Sequence, residues 1–203
     1  MLKNRPVLKL TTLALLAAIG VVLMSYIQLP YPPAPFLKIE VSDFVVMFTF
    51  LLFGFKEALI VAVVKTLGDL MFRGSVGPFA VGQITALVAS LSYVLMLFIA
   101  SKIIKSEKIG FKVLKYLFVV SGVAIIMVIA NYFFLTPIFL GKISFLDMSN
   151  DALSSMTGIN SYLLSIIILY LPFNFLKGTL ISIIAILFGD ILLEMYRKKL
   201  KIQ

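Results

Sequence analysis

This sequence predicts an all-α integral membrane protein, six transmembrane helices around an outward-facing ligand cavity. Three observations predict it. Of 203 residues, 62% are hydrophobic and 13% charged, against roughly 45–50% and 25% in soluble domains. The apolar residues come in runs long enough for helices, not in the alternating ten-residue segments of a barrel. Proline, glycine and basic breaks divide those runs into six. Residues 1–203 read as one transmembrane domain.

The first segment, Val7 to Leu29, follows Lys3, Arg5 and Lys9 as a secretory signal would, but it outruns the roughly 7–15 residues of a signal core. It reads as a retained helix that stops at Pro30-Tyr31-Pro32-Pro33-Ala34-Pro35, which cannot be helix interior. Ser42 or Asp43 is placed to cap the second helix, Phe44 to Phe53, before Gly54. The third runs from Glu57 to Phe72 and ends in the turn Arg73-Gly74-Ser75-Val76-Gly77-Pro78. The fourth spans Phe79 to Ile104, a basic connection covers Lys105 to Lys115, and the fifth occupies Tyr116 to Leu140. A polar loop, Gly141 to Asn160, precedes the sixth helix, Ser161 to Met195.

Charge orients these helices. With both termini in the cytoplasm, the inner segments hold Lys3, Arg5, Lys9, Lys56, Lys102, Lys105, Lys108, Lys112, Lys115, Arg197, Lys198, Lys199 and Lys201, and the outer ones only Lys38, Arg73 and Lys142. This positive-inside bias accounts for the net charge of +9 without nucleic acid, for which there is no basic domain. The second helix is short, about 16 Å against a hydrocarbon core of about 30 Å. Its outer end and the proline-rich loop must therefore sink into the outer leaflet, where irregular backbone is tolerated only in protein or beside a cavity.

Intramembrane polar groups are the candidates for function: Lys65 with Asp69, Gln83, Asn131, and Asn174 with Lys177. Helix rise puts Lys177 about 30 Å from the anchor at Arg197, Asn131 about 24 Å from Lys115, and Asp69 about 20 Å from Lys56, all in the outer half. Asn174 and Lys177, spaced i, i+3 after Pro172, offer an amide and an ammonium on one face, which suits a planar heterocycle with donor and acceptor edges. Other readings stand beside these. Lys65 and Asp69, spaced i, i+4, can neutralise each other; Asn131 can bond a neighbouring helix; Lys177 can snorkel to the interface. Ala14 and Ala18 form a small-xxx-small pair that permits close helix approach.

Phe36-Leu37-Lys38-Ile39-Glu40-Val41-Ser42-Asp43 after a proline-rich stretch, Lys65, Asn131-Tyr132 with Pro137, and Pro172-Phe173-Asn174-Phe175-Leu176-Lys177-Gly178 together resemble the riboflavin-specific S components (RibU type) of energy-coupling factor (ECF) transporters. The resemblance covers nearly the whole chain, and Pro-Phe-Asn-x-x-Lys-Gly is its most specific part. It implies a bacterial cell-membrane protein that binds riboflavin from outside, under a lid formed by the first outer loop. It implies that Asn131, Asn174 and Lys177 hydrogen-bond the isoalloxazine ring, with the Leu37 backbone contributing from the lid and Lys65 in the site. Gln83 would serve the ribityl chain, at a position where the family is acidic as often as Gln; Asp69 has no counterpart. Ala14 and Ala18 would dock on a transmembrane coupling subunit joined to two ATP-binding subunits.

The residues exclude several other functions. Without Cys or His there is no thiol nucleophile, imidazole base or histidine metal ligand. No Gly-x-x-x-x-Gly-Lys-Ser/Thr motif occurs, so ATP must act through partners. The flavin would be cargo and no cofactor is implied. Three rivals remain: the same fold with another vitamin, a proton-coupled carrier or channel using Lys65 and Asp69, and a lipid-modifying enzyme with Asp69 as base, since only Asp69 and Asp190 are acids near the membrane interior.

Overall fold

In a computed structural model, which describes residues 6–106 and 108–201, the chain forms a helical bundle closed at one end by a small hairpin. Helix α1 (Pro6–Tyr26) leads into strands β1 (Leu29–Tyr31) and β2 (Ala34–Ile39), followed by α2 (Asp43–Phe53) and α3 (Phe55–Arg73). Then come α4 (Val81–Ile103), α5 (Ile109–Ala130), a π-helical turn at Asn131–Leu135, short helices α6 (Thr136–Phe139) and α7 (Ser154–Thr157), and the long α8 (Tyr162–Lys201). Among the described residues, four helices are long and apolar enough to cross a membrane: Pro6–Tyr26, Pro78–Ile103, Ile109–Phe139 and Tyr162–Gly189. The other two expected segments differ from these. Helix α2 has 11 residues, and α3 carries Lys56, Glu57, Lys65, Asp69 and Arg73. Lys3 and Arg5 of the inner basic set lie outside the described residues, as do the side chains of Asp190, Arg197, Lys198, Lys199 and Lys201.

The structure departs from the sequence reading in four places. The proline-rich stretch is an antiparallel hairpin, with Leu29 opposite Ile39 and Tyr31 opposite Ala34 across Pro32-Pro33. Proline is tolerated in such an edge pair because no central strand needs its missing N–H. Helix α4 begins at Val81, because Phe79 and Ala80 take left-handed backbone conformations (φ 51° and 57°). Helix α5 begins at Ile109, so Lys112 and Lys115 are helical; lysine is a good helix former, and a helix end in the interface tolerates its charge. Ser42 does not cap α2: it has helical dihedrals and makes no side-chain cap bond, because its hydroxyl accepts from Lys65 instead.

Packing is close where glycine permits it. A Cβ on Gly68 would lie 2.5 Å from Val21 Cγ2, and one on Gly20 would lie 3.2 Å from Lys65 Cβ, so α1 is seated directly on α3. Gly178 likewise brings α8 against Val120 of α5 and Tyr93 of α4. Met47, Tyr93, Leu97, Val119, Val123 and Ile181 form a core joining α2, α4, α5 and α8. Tyr31, Phe36 and Leu37 of the hairpin pack on a second cluster around Ile166 and Tyr170.

Candidate ligand-binding site

Beneath the hairpin lies a cavity of about 310 Å³, at the lower end of the roughly 300–1,000 Å³ of small-molecule sites. The hairpin supplies Phe36 and Leu37, and Glu40 follows directly after it; α1 supplies Met24; the loop after α3 supplies Val76 and Gly77. Val81, Thr85 and Ala89 come from α4, Met127 from α5, Leu135 and Phe139 from the segment after it, and Tyr170, Phe173, Asn174 and Lys177 from α8. The walls are chiefly apolar and aromatic. Tyr31 packs on Phe173 and Phe36 stacks on Phe139, each at 5.4 Å between ring centres, so the hairpin is tied to the far walls.

Two amides enter this apolar space. Asn131 opens the π-helical turn, where the Thr136 N–H donates five residues back to the Asn131 carbonyl. Pro137 lacks an N–H and crowds the carbonyl four residues before it, a local cause for the widened turn. Asn131 Nδ2 donates to the Met127 carbonyl at 2.8 Å, while its Oδ1 lies 3.3 Å from the Thr136 hydroxyl, itself 2.9 Å from the Tyr170 hydroxyl. Asn174 Nδ2 donates to the Tyr170 carbonyl at 2.7 Å. Each amide plane is thereby fixed by its own helix, leaving capacity for a further partner.

The cavity floor is ionic. Lys177 Nζ donates to Glu40 Oε1 at 2.7 Å and stands 2.9 Å from Asp43 Oδ2. Asp43 Oδ1 accepts from Lys65 Nζ at 2.8 Å and from the Ser90 hydroxyl at 2.5 Å, and Glu40 Oε2 accepts from the Ser42 N–H at 2.7 Å. Two carboxylates and two ammonium groups are matched in a region where an unpaired charge is costly. Asp43 and Lys65 are completely buried.

Lys65 and Asp69 do not neutralise each other. Asp69 takes a two-pronged bond from Arg73 at 2.6 and 2.8 Å, with Ser25 and Gln83 as further donors. Asp69 therefore ties α1, α3 and α4 together near the cavity rim. Gln83 also accepts from the Val76 N–H and donates to the Gly74 carbonyl, which braces the loop after α3. Of the predicted site residues, Leu37, Asn131, Asn174 and Lys177 line the cavity; Lys65 lies behind it, joined to it through Asp43, and Gln83 lies behind the loop. Ala14 and Ala18 are exposed on α1, beside buried Leu16, Ala17, Gly20 and Val21. Sequence reasoning gave Glu40 no role and Asp43 only a capping one. Their signal was present as two acids at the start of the short second helix, with two lysines inside other apolar segments.

Residues 8–188 match the family described as ECF transporter, substrate-specific component. The chain is 32% identical over 185 residues to the riboflavin transporter RibU of Staphylococcus aureus (strain TCH60), covering 88% of this chain and 87% of that protein. It is 27% identical over 177 residues to the riboflavin transporter FmnP of Bacillus subtilis (strain 168), covering 87% of each. A solved structure, described under "Structure and mechanism of the S component of a bacterial ECF transporter", superposes with a TM-score of 0.66 at 27% identity, covering 95% of this chain and 97% of that one.

Proposed function

The chain belongs to the substrate-specific components of ECF transporters, and on that premise we propose that its cargo is riboflavin, taken from outside the cell. One observation supports this most: two amides and one ammonium, from the π-helical turn after α5 and from α8, converge on a cavity otherwise walled by apolar and aromatic groups. A flavin needs this combination. Its ring system is planar and apolar across its faces, and one edge alternates hydrogen-bond donors and acceptors. Asn131 and Asn174 can both donate and accept, Lys177 only donates, and Phe36 and Phe139 supply ring surfaces. The Leu37 backbone reads the ligand from the hairpin, which forms the lid.

The cavity opens outward in this reading because the hairpin end lies opposite the basic segments, which belong in the cytoplasm. Ala14 and Ala18 dock on a transmembrane coupling subunit that joins the protein to two ATP-binding subunits. Their exposure supports this, since they are not used in packing α1 on α3. Lys65 and Gln83 serve the site through Asp43 and the braced loop.

The test uses detergent-solubilised protein and the quenching of riboflavin fluorescence. A hydrogen bond to a buried partner is worth about 1–3 kcal/mol when left unmade, so Asn131→Ala and Asn174→Ala should each weaken binding roughly 5- to 150-fold. Affinity unchanged in both variants would remove the amides from the site.

A further inference from the structure

We propose that Asp43 is a positioning residue for the cargo: a carboxylate outside the cavity that sets where the Lys177 ammonium presents its remaining N–H groups. The inference rests on the reading of the cavity as a flavin site with Lys177 in it. Lys177 projects from the middle of α8 at the cavity floor, and a flexible four-carbon stem does not by itself fix an ammonium. Two acids fix it here. Glu40 accepts an aligned bond at 2.7 Å, from the end of the hairpin. Asp43 Oδ2 stands 2.9 Å from the same nitrogen, although that oxygen is buried without an aligned hydrogen bond.

The two acids differ in how they are held. Glu40 lines the cavity and follows directly on strand β2, so in the lid reading it is carried with the hairpin. Asp43 sits in the first turn of α2, fully buried, with Oδ1 clamped by Lys65 from α3 and Ser90 from α4. Oδ1 is thus committed to the bundle, which leaves Oδ2 aimed at Lys177 as a fixed counter-charge. With the lid open and Glu40 withdrawn, Asp43 is the acid that holds the Lys177 ammonium in place for an incoming ligand. With the lid closed, the unaligned Oδ2 contact leaves the ammonium free to turn an N–H toward the ligand. Lys65 acts one step further back, by fixing Asp43.

The experiment is a double-mutant cycle read by riboflavin titration. Asp43→Asn alone strands the Lys65 charge and can fail to fold, so the working variant is Asp43→Asn/Lys65→Met, which keeps the cluster neutral. It should bind riboflavin roughly 10- to 100-fold more weakly than wild type, the loss typical of a hydrogen bond to a charged group. In a Glu40→Gln/Lys177→Met background, which strands no charge, the same pair of changes should cost less than about twofold, because the residue it positions is gone. A purely structural role for Asp43 would carry its full loss into that background. Losses that add, or a pair variant within about twofold of wild type, overturn this inference alone. Wild-type protein that does not quench riboflavin overturns the flavin reading and this inference with it.

Discussion

Gly68→Ala puts the seating of α1 on α3 to a quantitative test, because two opposed effects act at one carbon. Alanine is favoured over glycine inside a helix by about 1 kcal/mol, so the substitution should stabilise α3 if space were open. The added Cβ, however, would lie 2.5 Å from Val21 Cγ2, more than 1 Å inside the roughly 3.5–4.0 Å of an optimal carbon contact. Val21 is buried in α1 and cannot swing away, since a β-branched side chain in a helix has one strongly preferred rotamer. Overpacking of this kind costs about 1–3 kcal/mol. Net destabilisation of up to about 2 kcal/mol should follow, a Tm lower by as much as several degrees at about 2–4 °C per kcal/mol for a chain of this length. Val21→Ala alone should cost about 1.5 kcal/mol through two buried carbons. Combined with Gly68→Ala it removes the overlap and retains the propensity gain, so the double variant should lose clearly less than the two single losses together. Thermal unfolding in detergent reads all four proteins. Gly68→Ala more stable than wild type, or strictly additive losses, would refute the close approach of α1 and α3.

Three further outcomes are expected. Ala14→Leu with Ala18→Leu should spare riboflavin affinity while abolishing cellular uptake and co-purification of the ATP-binding partners; equal loss of ligand binding would show the pair to be structural. Single cysteines at Ser106 and Ser149, read without background because the chain has none of its own, should be labelled from outside the cell at Ser149 only; the reverse pattern would invert the topology. Gln83→Ala unties the Val76 N–H and the Gly74 carbonyl from α4, so it should weaken riboflavin binding about 5- to 50-fold. Unchanged affinity in titration would show that the braced loop does not shape the cavity.

The parts legible in the sequence are those that local chemistry decides. Apolar runs bounded by Gly54 and the Arg73–Pro78 turn located the ends of α2 and α3 within a few residues, because chain-terminating residues act on their neighbours. Helix rise gave Asn131 and Lys177 similar expected depths, spacing put Asn174 on the face of Lys177, and the structure brings these three to one cavity. What stayed hidden was pairing across the fold. Asp69 has a base four residues before it and another four residues after it, so spacing could not choose between Lys65 and Arg73. The choice is made by Asp43, 22 residues from Lys65 in sequence, which holds Lys65 inside the bundle and leaves Arg73 to Asp69. Glu40 meets Lys177 across 137 residues, and no local pattern carries such a contact. The hairpin was illegible for a different reason: proline forbids helix over that stretch without saying what replaces it.

If the proposed function is right, the cavity beneath the hairpin holds one riboflavin. The most direct test is equilibrium titration of riboflavin fluorescence against purified wild-type protein, alongside thiamine and biotin as competitors. Saturable quenching with a one-to-one end point at micromolar or lower protein, undisturbed by either competitor, is the expected result. An absence of quenching at micromolar concentrations, or displacement of riboflavin by an unrelated vitamin, would contradict it.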